Sequence, residues 1–145
     1  MNKNEIELTW RDIRHNVFLS VIQRMIEARL PFEVTTKMLM IAKKINDERA
    51  LANVVSSRME KEFTEVVKEE GKPDYRKIKE DVKEEYEKEL TKFMEHKFQV
   101  RTPPFPSIML KKLELSVNEL LAIRPLLSDA DDVLGAPEVV EGPAN

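Results

Sequence analysis

The sequence predicts an all-α fold, with an N-terminal helix packed on a long antiparallel helical hairpin, and three observations carry that prediction. Between Thr35 and Phe98 apolar residues recur at intervals of three and four, a period that fits helices and no strand. That region is divided once, at Gly71-Lys72-Pro73-Asp74. Ahead of it, from Trp10 to Ile26, runs an apolar band wider than either arm of the hairpin carries.

Taken in order, the first helix starts with Thr9 as its N-cap and Asp12 in an acidic first turn. Ile13, Val17, Phe18, Val21, Ile22, Met25 and Ile26 supply its apolar band, and it stops near Leu30-Pro31. So wide a band calls for two neighbours at once. The expected place is across the open end of the hairpin, against Met38 to Ile45 and the far end of the second arm.

The first arm of the hairpin carries Met38, Ile41, Ile45, Ala52, Val55, Met59, Phe63 and Val66. Glu48 interrupts this seam, and Asn53 to Ser57 is poor in helix formers, so this region is either a bend or the edge of the hairpin core. Gly71 suits a left-handed C-terminal cap, Pro73 cannot continue the helix, and Asp74 is a good N-cap for the return. The second arm carries Tyr75, Ile78, Val82, Tyr86, Leu90, Phe93 and Phe98, separated almost entirely by Lys and Glu. At a rise of about 1.5 Å per residue the arms are roughly 50 Å and 35 Å long, so the second cannot cover the first. The N-terminal helix is expected to fill the difference.

Beyond Phe98, prolines at 103, 104 and 106 force an extended crossing segment in which Phe105 is either a pin on the bundle or part of a docking peptide. Leu113 to Leu115 alternates and allows a short strand. Ser116 with Glu119 forms a capping box for a short helix through Leu120, Leu121 and Ile123 toward Leu127. From Ser128 onward five acids occur with no base and no aromatic, so 128–145 is expected to be a disordered acidic tail on a single helical domain spanning 1–127.

Composition narrows the chemistry. The chain has 145 residues, no cysteine, 24 basic and 27 acidic residues and a net charge of −3. That balance provides no global basic field for nucleic acid. Absence of cysteine removes disulfides and thiolate chemistry and suits a reducing compartment. The first ten residues are too polar for a secretory signal, and no apolar run approaches the roughly 20 residues of a membrane span. A cytoplasmic protein with no membrane partner is expected.

Three functional classes have some footing in the residues. Carboxylates stand at helical spacing in Glu62 with Glu65, Glu80 with Glu84 and Glu85 with Glu89, a pattern used by metal-dependent all-α hydrolases. Yet no Glu-x-x-His occurs: His15 lies in Asp12-x-x-His15, and His96 directly follows Glu95. Interleaved lysines turn these acids into ion-pair partners on a solvated face, so no metal, cofactor or catalytic residue is assigned. From Thr9 to Arg49 there are eight basic against five acidic residues, and Arg11, Arg14, Arg24 and Arg29 are the candidates for a nucleic-acid-binding face. The expected class is a non-enzymatic helical protein–protein interaction module that binds a partner or a second copy. Its candidate contacts are Trp10, Phe105 and the apolar residues off the seam: Leu39, Met40, Leu51, Val54 and Val67.

The succession of a charged hairpin with a Gly-containing turn, a Pro-rich crossing and the Leu-rich ending from Leu113 to Leu127 resembles small helical-hairpin proteins of tailed bacteriophages. The likeness covers about residues 38–127 and leaves out the N-terminal helix. It implies a phage accessory or virion-associated protein in the host bacterial cytoplasm, and it implies no catalytic residues.

Overall fold

The computed structural model describes residues 4–135 and corrects the all-α expectation: it is 64% helical but also has four strands in two antiparallel ribbons. Strand β1 (Ile6–Thr9) pairs with β4 (Lys97–Val100), with Ile6 opposite Val100 and Leu8 opposite Phe98. All four of these side chains are buried, while Glu7 and Gln99 meet on the outer face, Gln99 Nε2 donating to Glu7 Oε1 at 3.1 Å. This is the inside–outside alternation of a half-buried sheet, so Phe98 ends the seam as a strand residue and not a helical one.

The N-terminal helix is shorter than expected, α1 being Asn16–Glu27. The Thr9–Asp12 cap forms, with Thr9 N donating to Asp12 Oδ2 at 2.9 Å and Asp12 N to Thr9 Oγ1 at 3.2 Å, but it closes only the single 3-10 turn Asp12–Arg14. His15 then caps α1, its Nδ1 accepting from Phe18 N at 3.4 Å. Phe18, Val21, Ile22 and Met25 of α1 are buried against α2 (Phe32–Phe63).

Helix α2 is continuous for 32 residues, so Asn53 to Ser57 produces no break. It ends at Phe63, where β-branched Thr64, Val66 and Val67 take the chain into β2 (Thr64–Val67). Strand β3 (Tyr75–Ile78) returns antiparallel, Thr64 opposite Ile78 and Val67 opposite Tyr75. Gly71, at φ +78°, stands in the loop between them. The reversal falls where the sequence places it, but the device is a β-ribbon and not a helix–helix turn. Helix α3 (Lys83–Glu95) then runs back along α2, Phe63 and Tyr86 meeting edge to face at 5.8 Å.

The expected strand at Leu113–Leu115 is absent among the described residues; Ser107–Leu113 is a run of 3-10 turns. Phe105 is buried as a pin, its amide donating to Leu126 O at 3.0 Å and its carbonyl accepting from Ser128 N at 2.9 Å. The capping box forms in full at the start of α4 (Val117–Ala122), which is followed by a 3-10 turn at Arg124–Leu126. Order continues past Ser128. Asp129 accepts from the Ser107 amide at 2.9 Å and hydroxyl at 2.8 Å, and α5 (Ala130–Leu134) follows with Ala130 buried. Only 136–145 of the expected tail lies outside the described residues.

The result is a head and an arm. The head gathers the β1–β4 ribbon, α1, the first half of α2 and residues 105–134 around Phe18, Met38, Ile41, Phe105, Ile123 and Leu126. The arm is the second half of α2, the β2–β3 ribbon and α3, sharing a thinner line of buried residues, Ala52, Met59, Phe63 and Phe93.

Candidate interaction surface

Helix α2 buries Val34, Met38, Ile41, Ile45, Ala52, Met59 and Phe63 on one side. At 100° per residue these positions cluster on one face. Leu39, Met40, Leu51 and Val54 fall on the other, where they are 58%, 48%, 50% and 67% exposed. A helix with a single neighbour layer should be polar on its far side. Four large apolar side chains there leave an apolar stripe with none of the described residues packed upon it. Phe32, 84% exposed, continues the stripe at the helix start. Sequence reasoning passed it over as the residue after Pro31, although its seven-residue spacing from Leu39 was a usable signal.

The remaining candidates have other positions. Val67 is half-buried on β2, away from the stripe. Trp10 and Phe105 are buried in the head. The Trp10 ring contacts Phe93 at 5.0 Å and His96 at 4.3 Å, and among the described residues its Nε1 has no hydrogen-bond partner. Its backbone N donates to His96 O and Arg11 N to Met94 O, which staples the chain start to the end of α3. Trp10 therefore locks the head–arm junction.

The four arginines do not share one helix: Arg11 and Arg14 precede α1, and Arg29 follows it. Arg14 stacks over Phe93 at 5.1 Å. Arg24 is held by Glu119 Oε2 at 2.6 Å and Leu113 O at 2.7 Å, which fastens α1 to the head of α4. The Glu119 carboxyl lies below its ordinary pKa, chiefly because the Ser116 amide donates to it and also through Arg24, so it stays ionised. Arg29 joins Lys111 and Lys112 around an open cleft of about 600 Å³ floored by Leu30, Pro31, Ile108 and Met109.

The acid pairs weighed as metal ligands are separated or already paired. Glu62 is on α2 and Glu65 on β2, while Glu80 binds Lys83 at 3.1 Å and Glu84 faces Lys88 at 3.9 Å. Among the described residues no group of three or more His, Cys, Asp or Glu is placed to hold a metal ion, and no helix is long and apolar enough to cross a membrane. A depression of about 700 Å³ along Asn53, Val54, Ser57, Arg58, Lys61 and Glu62 is lined by α2 alone, so it belongs to the outer face of the helix and not to an enclosed cavity. Family models, curated proteins and solved structures offer no match to this chain.

Proposed function

We propose that the protein is a helical interaction module that works by presenting the outer face of α2 to a protein partner. One observation carries this reading: Leu39, Met40, Leu51 and Val54 stand 48% to 67% exposed on the side of α2 opposite the core. Leaving such a stripe in water forgoes roughly 25 cal/mol for each Å² of apolar surface that a partner would cover. The resemblance to small phage proteins supplies a setting, an accessory or virion-associated role in the cytoplasm of an infected bacterium.

The test compares the wild type with a Leu51→Asp, Val54→Asp variant. Both positions are exposed, so the variant should keep its melting temperature. Light scattering reads self-association, and recovery of bound proteins from producing cells reads other partners. Loss of association in the variant sustains the proposal; equal behaviour of the two proteins, or no association by either, refutes it.

A further inference from the structure

Resting on that reading, we infer that the partner covering the outer face of α2 is a second copy of the same helix, antiparallel, with the two-fold axis crossing that outer face at the level of Ile45. The middle of the stripe, from Leu39 to Leu51, is symmetric about that position, while Val54 beyond it reflects onto Thr36. Reflecting a residue number through 45 carries Leu39 to Leu51, Met40 to Ala50 and Lys43 to Asp47, and all six side chains are exposed. In an isologous two-fold contact, residue i of one copy meets residue j of the other and j meets i. Two α2 helices related in this way place Leu39 of one copy at the level of Leu51 of the other on both sides of the axis. They also set each Lys43 against the Asp47 of the other copy.

Charge complementarity selects this occupant. Lys43 and Asp47 are exposed charged residues on the outer face between Met40 and Leu51, and among the described residues neither has an ion-pair partner. A parallel pairing would juxtapose Lys43 with Lys43 and Asp47 with Asp47. The antiparallel pairing satisfies both charges twice. At the ends of the contact the same reflection sets the open ring of Phe32 against Arg58, a cation–aromatic pair. The length engaged, Phe32 to Arg58, is about 39 Å, long enough for several helical turns of contact. Both the head and α3 pack on the opposite side of α2, so neither obstructs it.

The intermolecular pairing is tested by charge reversal and mixing. Wild-type protein at about 100 µM should scatter light as a particle near 34 kDa, twice the 16.9 kDa of one chain. Lys43→Asp sets acid against acid in the self-pair and Asp47→Lys sets base against base; each variant alone should dissociate at least tenfold more readily. An equimolar mixture of the two should recover the 34 kDa particle, because each mixed pair restores both contacts. A contact within one helix predicts no rescue on mixing, since neither chain changes. Wild type that stays at the mass of one chain, or variants that mixing does not rescue, overturns the inference. A monomeric wild type whose other protein partner is lost with Leu51→Asp, Val54→Asp leaves the surface reading standing and removes the second copy. A dimer that none of these substitutions weakens removes both.

Discussion

The first half of α2 and the second half are one uninterrupted helix in very different surroundings. Around Val34, Met38, Ile41 and Ile45 the head closes from several directions, with α1 and β4 packed on the same face. Around Ala52, Met59 and Phe63 the neighbours are α3 and the β2–β3 ribbon, and of the residues of α3 itself only Phe93 is buried. Charged pairs such as Lys83–Glu80 and Lys92–Glu89 cover the rest of the arm, at solvent-exposed sites where such pairs contribute about 0.2–0.5 kcal/mol each. A continuous backbone therefore does not imply uniform stability. The head is held by burial, and the arm by one seam, a ribbon and the staple at Trp10.

The largest expected effect tests that contrast directly. Phe18 is fully buried in the head, so Phe18→Ala should lower the free energy of unfolding by about 3–5 kcal/mol. Leu90, only partly buried in the arm, should cost no more than about 2 kcal/mol when cut to alanine. Urea titration followed by circular dichroism measures both. Equal losses would break the distinction between head and arm. Hydrogen exchange sharpens it further: amides of α1 should open only with global unfolding, and those of β2 and β3 well before it.

The same contrast explains what was legible in the sequence. Long seams repeat their signal many times, so α2 and α3 could be read from spacing, and the reversal between them from Gly71, Pro73 and Asp74. The ribbons could not, because four-residue strands repeat a two-residue period only twice. Ile6-Glu7-Leu8 and Phe98-Gln99-Val100 alternate correctly, but each becomes a strand only by pairing with a segment about ninety residues away. Phe63 and Phe93 fit the helical period and are helical, whereas Val66 and Phe98 fit it equally well and are in strands. Local caps were visible yet silent on length: Thr9–Asp12 closes one turn, and Ser116–Glu119 opens a helix of six residues. Order at Asp129 depends on Ser107, a contact across twenty-two positions that composition does not reveal. At the candidate surface, exposure of Leu39 and Val54 followed from their places off the seam. Burial of Trp10 and Phe105 required knowing what packs over them.

An intermediate effect is expected at the tip of the arm. Gly71 adopts φ +78°, and a Cβ built there meets nothing within 4 Å, so Gly71→Ala costs only backbone conformation, about 1–2 kcal/mol. The loss should be confined to the ribbon. Exchange of the Thr64–Val67 and Tyr75–Ile78 amides should accelerate while that of α1 is unchanged. Acceleration in both places would mean that the ribbon and the head unfold as one unit.

The smallest effect belongs to the head and depends on pH. Glu119 is held below its ordinary pKa first by the Ser116 amide and then by Arg24. The unfolded chain therefore binds a proton at this site at higher pH than the folded chain does. Stability from the ionised group is complete above the ordinary glutamate value of about 4.3 and is lost as pH falls through the lower folded value. Glu119→Gln keeps a capping-box side chain at the start of α4 but removes the charge facing Arg24. At neutral pH the variant should melt slightly below wild type, and the gap should close on acidification below about pH 4. Because both side chains are partly in water, added salt should also narrow the gap. A gap that stays constant from pH 7 to pH 3 would show that Arg24 holds α1 to the head by its bond to Leu113 O, ahead of α4, and not by charge.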